Sequence, residues 1–321
     1  MSMTAQSHSI HTTLVFPARR WWAAAMAAVV LSLAMGASLA ADQQRSFRSP
    51  DEAVNAFVAA AKSGDTKALQ GILGPGSVDL VQSGDAVADR SGRERFVQAY
   101  GQANRLARQG DAKAVLLVGK DEWPFPIPIV KDAAGWRFDS KEGHEEILNR
   151  RIGRNELSAI QAVLAYADAQ REYYVRNPAG DKLLHYAQKF SSAPGKRDGL
   201  YFPTKAGEKA SPLGPLYASA KAEGYTKGEA GQPNAYHGYH YRILRGQGPS
   251  APGGAYDYVA QGRMIGGFGL VAWPASYGNS GVMTFIVNHD GVVYEKDLGP
   301  DTAAVVKKIT RFNPDKSWKR H

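Results

Sequence analysis

The residues that could carry chemistry include two histidines set among tyrosines in the segment 236–241. His237 and His240 lie three positions apart in a predicted strand, where successive side chains face opposite sides. They would therefore face different sides of the strand, which disfavours them as a pair of ligands for one metal ion unless a bulge intervenes. We interpret the segment either as strand packing or as an aromatic patch that faces a ligand.

Two other histidine groups also lack what a chemical site requires. His144 begins a His-Glu-Glu triplet like the start of a zinc-protease helix, but that motif needs a second histidine where this chain has Leu148. His289 and Asp290 could form an acid–base pair, yet they precede a glycine in a predicted hairpin turn, where backbone demand explains them. The chain has no cysteine, which excludes thiol nucleophiles and thiolate zinc sites. We therefore predict no catalytic residue, no metal and no cofactor.

Aromatic side chains in extended segments form the candidate binding surface. Together with proline, such residues could present a platform for a carbohydrate or a peptide, and they could equally form the apolar cores of two modest domains. If the protein is an enzyme, the candidate pocket acids are Asp121, Glu122 and Asp139. The candidate surface consists of Trp123, Phe125, Trp136, Tyr236, His237, Tyr239, Trp273 and Tyr277.

The helices and strands predicted in the first half of the chain would position Trp123, Phe125 and Trp136. Ser49, Pro50 and the two acids after them predict a helix that starts there and stops at Gly64. A short helix is predicted from Asp65, and a hairpin turn over 131–135. A third helix and three extended runs are predicted at Gly92–Ala107, Ala114–Val118, Trp123–Val130 and Trp136–Asp139.

The second half of the chain begins with an apolar stripe that predicts a long helix over Asn155–Tyr174. A loop-rich stretch over 191–235 follows, with many prolines and glycines. Four extended runs, the first of which alternates, then predict an antiparallel sheet, with an Asn-His-Asp-Gly hairpin turn before its last strand. The strands and a final helix are predicted at Tyr239–Leu244, Gly266–Pro274, Gly281–Val287, Val292–Lys296 and Thr302–Thr310.

This order of elements predicts an α+β protein with two domains: a helix-plus-curved antiparallel sheet cone, then a long helix packed on a four-stranded antiparallel sheet. The predicted boundaries are 47–142 for the first domain, 143–154 for a charged linker, 155–312 for the second domain and 313–321 for a tail. The first domain, whose meander ends in Gly-Trp-Arg-Phe, resembles the cystatin-like cone of the nuclear-transport-factor-2 superfamily. The second, with its phrase Val-Asn-His-Asp-Gly-Val-Val-Tyr, resembles a pilin or pseudopilin head.

A broader resemblance covers nearly all of the chain after residue 40. The segments that carry it are Ser49–Phe57, Trp123–Val130, Asn155–Tyr174, Gly238–Leu244 and Gly266–Pro300. Taken together they are similar to a bacterial family of exported proteins, the domain of unknown function 2950. The resemblance implies a periplasmic location and no established activity.

The N-terminal segment predicts export. Two arginines precede Trp21–Ala41, an uncharged run with small residues where a signal peptidase requires them. Cleavage between Ala40 and Ala41 would remove a signal peptide, residues 1–40, and would lower the net charge from +9 to +7. The same run could instead remain as a membrane anchor, and it is the only contact with a membrane that the sequence predicts.

The sequence therefore predicts an exported periplasmic protein that acts as a non-enzymatic binding or accessory module of the cell envelope. Its predicted partner is an envelope protein or a cell-wall polymer. One alternative is an enzyme or small-ligand binder that uses the pocket of the N-terminal cone, and another is a minor pilin-like assembly component. Lysines and arginines are scattered rather than gathered in runs, so we predict no specific nucleic-acid partner. No oligomeric state is predicted.

Overall fold

The predicted α+β class is confirmed by the computed structural model, which describes residues 44–226 and 235–321. These two stretches contain seven helices, and the strands of their sheets pair antiparallel. None of the helices there is both long enough and apolar enough to cross a membrane. The predicted signal peptide, the alternative anchor and the cleavage site between Ala40 and Ala41 lie outside the described residues.

Four helices open the described chain, and their ends follow local capping rules. The Ser49 hydroxyl accepts a hydrogen bond from the Glu52 N–H at 3.1 Å, which caps the first helix as predicted. Gly64 ends that helix with φ 69°, a left-handed conformation that glycine adopts at low cost. The helices are α1 Pro50–Ser63, α2 Thr66–Leu73, α3 Val78–Val81 and α4 Ala86–Gln102.

A five-stranded antiparallel sheet follows α4. Its strands are β1 Asn104–Gln109, β2 Lys113–Val118, β3 Trp123–Pro124, β4 Ile129–Asp132 and β5 Gly135–Phe138. They lie in the order β1-β2-β4-β5, and β3 also pairs with β2. The prolines of the predicted run Trp123–Val130 lack an N–H to donate, and the run is divided there into β3 and β4.

The predicted helix Gly92–Ala107 is wrong at both ends. It starts earlier, at Ala86, where Asp85 provides the N-terminal cap. It stops at Gln102, because Ala103 is extended, with φ −160° and ψ 144°. The residues after Ala103 pair with β2 along its whole length as β1. This long-range pairing outweighs the local helix preference of the segment.

A single long helix, α5 Ser140–Arg176, leads from the first sheet into the second half of the chain. The stretch 143–154, predicted to be a linker, is helical and belongs to α5. No proline interrupts the stretch, and its polar side chains bond to neighbouring elements. The His144 Nε2, for example, lies 2.8 Å from an Asp79 carboxylate oxygen. Asn177 ends the helix with φ 45°, a conformation that asparagine tolerates.

The second half of the chain forms a larger sheet and several short ladders. Its elements are α6 Gly214–Ala222, β6 Tyr239–Leu244, β7 Gly246–Gln247, β8 Tyr256–Asp257, β9 Val259–Ala260, β10 Arg263–Met264, β11 Gly269–Pro274, β12 Met283–Asn288, β13 Tyr294–Asp297, α7 Thr302–Lys308 and β14 Lys319–Arg320. The sheet runs β14-β13-β12-β11-β6, one strand more than predicted, because the tail 313–321 contributes β14. The Gly291 N–H donates to the Asn288 carbonyl at 3.0 Å and closes the predicted hairpin turn.

The central strands of this sheet are buried on both faces. On β11, Leu270 and Ala272 belong to an apolar cluster shared with α5, while Val271 faces a smaller cluster that includes Val306 of α7. A third cluster fills the space between α1, α2 and the first sheet. Residues 44–321 form one compact unit, and the division into two domains at the boundaries given above stays a prediction.

Gly143 provides a test of how closely α5 packs on the first half of the chain. A Cβ atom there would lie 2.5 Å from the Pro126 carbonyl oxygen, so the backbone would have to shift. We expect Gly143→Ala to lower the free energy of unfolding by about 1–3 kcal/mol. Gly153→Ala in the same helix meets no atom within 4 Å, and should raise that energy by roughly 0.5–1 kcal/mol. Urea unfolding followed by circular dichroism measures both, and equal shifts would contradict the close contact.

Candidate functional site

A cavity of about 730 Å³, here called the large cavity, lies where the first half of the chain meets α5. Residues of α1, α4, α5 and the segment after β3 line it, and Tyr225 and His237 complete its wall from the second half. Its volume falls within the range of about 300–1,000 Å³ that is typical of small-molecule sites. The cavity is therefore the candidate ligand site.

Part of this lining is a cluster of aromatic rings, of which Phe57 is buried and Phe96 and Phe125 are partly buried. The rings of Phe57, Phe96 and Phe125 contact one another, with centroid distances from 5.3 to 5.4 Å. Trp123, which is 38% exposed, lies 6.5 Å from the Phe125 ring and nearer to solvent. An apolar chain or ring that enters the cavity would leave water and pack against these side chains.

The helix α4 forms one wall of the large cavity and has no fully buried side chain. Phe96, Val97 and Tyr100 pack against the apolar cluster between α1, α2 and the first sheet but are only partly buried. Because the cavity replaces protein atoms beside Phe96, this side chain has fewer packing partners than one in the middle of a core. Packing therefore holds α4 less firmly than the other walls.

Arg151, on α5, ties three elements together at the edge of the large cavity. Its guanidinium donates to the backbone oxygens of Asp79 and Leu80, at 2.5 and 2.8 Å, and to the side-chain oxygen of Asn279. Asn279 in turn donates to the Gln82 carbonyl at 3.0 Å. Burial lowers the pKa of Arg151, but an arginine stays protonated at neutral pH. Arg151 is thus a fixed positive charge that is bonded to neutral oxygen atoms.

Three further arginines line the cavity: Arg93, Arg95 and Arg154. Among the residues that the structure describes, none of the three makes an ion pair with a carboxylate. Arg95 donates to the Ser91 hydroxyl at 2.6 Å. Burial lowers the pKa of Arg154, and the nearby charge of Arg95 lowers it further.

The two carboxylates in the lining have other partners. An Asp89 carboxylate oxygen accepts from the Ser83 N–H at 2.9 Å. Glu223 accepts from the Ser219 hydroxyl at 3.1 Å, and its other oxygen lies 3.3 Å from the His237 Nε2. Since the cavity lining contains four guanidinium groups and two carboxylates, its surface carries a surplus of positive charge.

Asp85 joins α4 to the second half of the chain. Although only 2% exposed, its carboxylate accepts from the Ala88 N–H at 3.0 Å, the Tyr225 hydroxyl at 2.7 Å and the Gly238 N–H at 2.8 Å. The Tyr225 oxygen accepts from the N–H of His237, a residue held at φ 49°. Burial and the Asp85 carboxylate raise the pKa of Tyr225, so this hydroxyl keeps the proton that it donates.

A smaller cavity of about 270 Å³ shares Tyr225 with the large one. Its lining is mainly apolar and aromatic, and it includes Tyr236 and Tyr241. The Tyr241 hydroxyl donates to the Tyr236 carbonyl at 3.3 Å, and burial raises the pKa of Tyr241. Tyr225 is therefore a wall that two cavities have in common.

The candidate binding surface from the sequence is divided between several places. Trp123, Phe125 and His237 line the large cavity, and Tyr236 lines the smaller one. Of these four, His237 is joined to Asp85 through Tyr225, whose hydroxyl accepts from the His237 N–H and donates to the Asp85 carboxylate.

The other four candidates lie elsewhere. Trp136 and Tyr239 are buried among the apolar clusters. Trp273 is partly buried and packs against the cluster under α7. The Tyr277 hydroxyl donates to an Asp297 carboxylate oxygen at 3.2 Å. None of the four lines either cavity.

The candidate pocket acids Asp121, Glu122 and Asp139 line neither cavity. Glu122 accepts two hydrogen bonds from Arg105, at 2.7 and 2.8 Å, and these bonds lower the pKa of its carboxyl group. Asp139 precedes α5, and its side chain makes no capping hydrogen bond. No group of three or more metal-ligating His, Cys, Asp or Glu residues occurs in the described parts of the chain.

Sequence reasoning missed the arginines and Asp85. Arg151 and Arg154 are three positions apart, a spacing that places both on one face of a helix. This spacing is informative only if residues 143–154 are helical, and the sequence predicts a linker there. Asp85 follows a glycine and precedes a helix, a pattern that indicates an N-terminal cap. Its bonds to Tyr225 and Gly238 join residues far apart in the chain, and no local pattern indicates them.

The chain belongs to the family described as protein of unknown function (DUF2950), whose family model matches residues 44–321. The match confirms the resemblance to this family that the sequence segments carried. No curated protein and no solved structure matches the chain. The resemblances of the two halves to a cystatin-like cone and to a pilin head stay predictions.

Substitution of Asp85 tests the junction beside the large cavity. Asp85→Asn replaces a carboxylate oxygen with an amide N–H, which must face one of the donors that the carboxylate now accepts from. We expect the free energy of unfolding to fall by about 1–3 kcal/mol. We also expect faster hydrogen exchange at the Gly238 amide.

The matched control is Asp65→Asn. Asp65 is an exposed cap of α2 that accepts only from the Ala68 N–H, at 2.9 Å. Asparagine caps a helix about as well as aspartate, so the expected change is below about 0.5 kcal/mol. Similar losses in both variants would show that Asp85 acts as a cap alone.

Proposed function

We propose that this DUF2950 protein is an exported, periplasmic binding protein that holds one small, largely apolar molecule in the large cavity. The observation that supports the proposal best is the cluster of phenylalanine rings that lines a cavity of about 730 Å³. Enclosure between α4 and α5 favours a small molecule over a cell-wall polymer or a protein partner as the occupant.

The energetics of the cavity also favour binding. A void beside apolar side chains lowers the stability of a fold, because those side chains lose packing contacts. A molecule that fills the space restores the contacts, and so it stabilises the folded chain when it binds. Partial burial of Phe96 on α4 identifies where these contacts would form.

The alternative of an enzyme at the same site has one observation in its favour. His237 lines the cavity, lies 3.3 Å from a Glu223 oxygen and has φ 49°, an uncommon backbone conformation of the kind found at functional sites. Ser91, a hydroxyl in the lining, accepts from Arg95. If the protein is an enzyme, the bound molecule should be converted to a product. Recovery of the unchanged molecule supports a binding protein.

The test fills the cavity with a side chain. Ala99 lies on α4 and lines the cavity, so Ala99→Phe should occupy part of the space in which a ligand packs. Titration of the purified protein with N-phenyl-1-naphthylamine, an uncharged fluorescent probe, should show saturable binding. We expect Ala99→Phe to weaken that binding about tenfold or more, the effect of losing roughly 1.4 kcal/mol of contact energy.

The matched control is Ala59→Phe. Ala59 lies on the exposed side of α1 and does not line the cavity, so the same added ring should leave probe affinity unchanged. Urea unfolding of both variants verifies that each is folded. Absence of saturable binding, or equal affinity in the two variants, would overturn the proposed function.

A further inference from the structure

We infer that the ligand carries an anionic oxygen group, a carboxylate or a phosphate monoester, which binds Arg95 and Arg154 at the solvent side of the large cavity. The inference rests on the proposed function and names the class of molecule that would enter. An apolar body would pack on the phenylalanine cluster while the anionic end meets the guanidinium groups.

The first observation is that the arginines of the cavity differ from their neighbours on the same helices. On α4, Arg90 lies 3.8 Å from a Glu94 carboxylate oxygen, and on α5, Arg150 pairs with Glu146. Arg95 and Arg154 line the cavity and make no such pair within the described residues. Arg90 and Arg150, which do not line the cavity, thus have a carboxylate partner, whereas among the residues described Arg95 and Arg154 in its lining do not.

The second observation is the crowding of like charges. Burial lowers the pKa of Arg154, and the charge of Arg95 lowers it further. Burial also lowers the pKa of Arg151, where the carboxylates of Asp89 and Asp79 act in the opposite direction and more strongly than the charge of Arg154. Arg151 donates to the oxygens of Asp79, Leu80 and Asn279, while the guanidinium of Arg154 makes no hydrogen bond within the described residues. An anion between α4 and α5 would relieve the repulsion and accept from the free donors.

The third observation is the order of surfaces along the cavity. Phe57 and the aliphatic side chains of Leu73 and Ile127 are buried, whereas Arg95 and Arg154 are exposed. A guanidinium can bind two oxygens of a carboxylate or phosphate at once, which favours an oxyanion over a halide. The surfaces together fit an amphiphile with one anionic end.

The experiment compares ligands that share one chain and differ in the end group. Dodecanoate, dodecyl phosphate, 1-dodecanol and dodecyltrimethylammonium compete with bound N-phenyl-1-naphthylamine, each below its micelle concentration. We expect at least one of the two anions to displace the probe at a concentration about tenfold or more below that of the alcohol, and the cation to be weakest. The alcohol reports on the apolar part of the cavity alone.

The variant R95Q/R154Q should reduce the preference for anion over alcohol to about threefold or less, where the preference is the ratio of the two displacing concentrations for that same variant. The matched control is R90Q/R171Q, which removes the same charge from the same helices at positions outside the cavity lining that have carboxylate partners, Glu94 and Asp168. We expect the control to keep most of the anion preference.

The outcomes separate the two proposals. Probe binding without preference for either anion would overturn the inference and leave the proposed function standing. An anion preference that survives in R95Q/R154Q would also overturn it, because the charge recognised would lie elsewhere. Failure of the probe and of all the dodecyl compounds to bind would contradict the proposed function itself. Preference for dodecyl phosphate over dodecanoate, or the reverse, supports the inference and identifies the oxyanion.

Discussion

The hydrogen bonds of Arg151 and Asp85 join the two halves of the chain, and the walls of the large cavity depend on them. Each side chain carries a charge, and each meets mainly neutral donors or acceptors from the other half. Such a group is costly to leave unpaired once it is removed from water, so the partners must stay in place. This requirement holds α3, α4 and α5 around a space that their own side chains do not fill.

The same arrangement supports the two proposals. Apolar walls lower the dielectric constant around a charge, so an arginine beside an apolar surface attracts an anion more strongly than one surrounded by water. The phenylalanine cluster supplies the apolar surface, and Arg95 and Arg154 supply the charge next to it. Loose packing of α4 would let this wall adjust to the molecule it encloses.

The fold was more predictable from sequence than the cavity. Ser49 with Pro50 marks a helix start, alternation marks β6, and continuous apolar runs mark β11 and β12, because these signals arise from neighbours in the chain. The strand β1 was missed because its pairing with β2 outweighs local preference. The cavity was missed because its polar contacts, such as Asp85 with Tyr225, join positions that no local pattern connects.

The continuity of α5 also sets a rule for how this chain can change length. Gly143 packs against Pro126 near the start of the helix, and Asn155 donates to the Ser280 carbonyl further along. One residue inserted between them would rotate every later side chain by about 100° and advance it by about 1.5 Å. A surface loop can accommodate an inserted residue without moving its neighbours. In α5 the same insertion would turn Asn155 away from the Ser280 carbonyl, so the number of residues between the two contacts must stay constant.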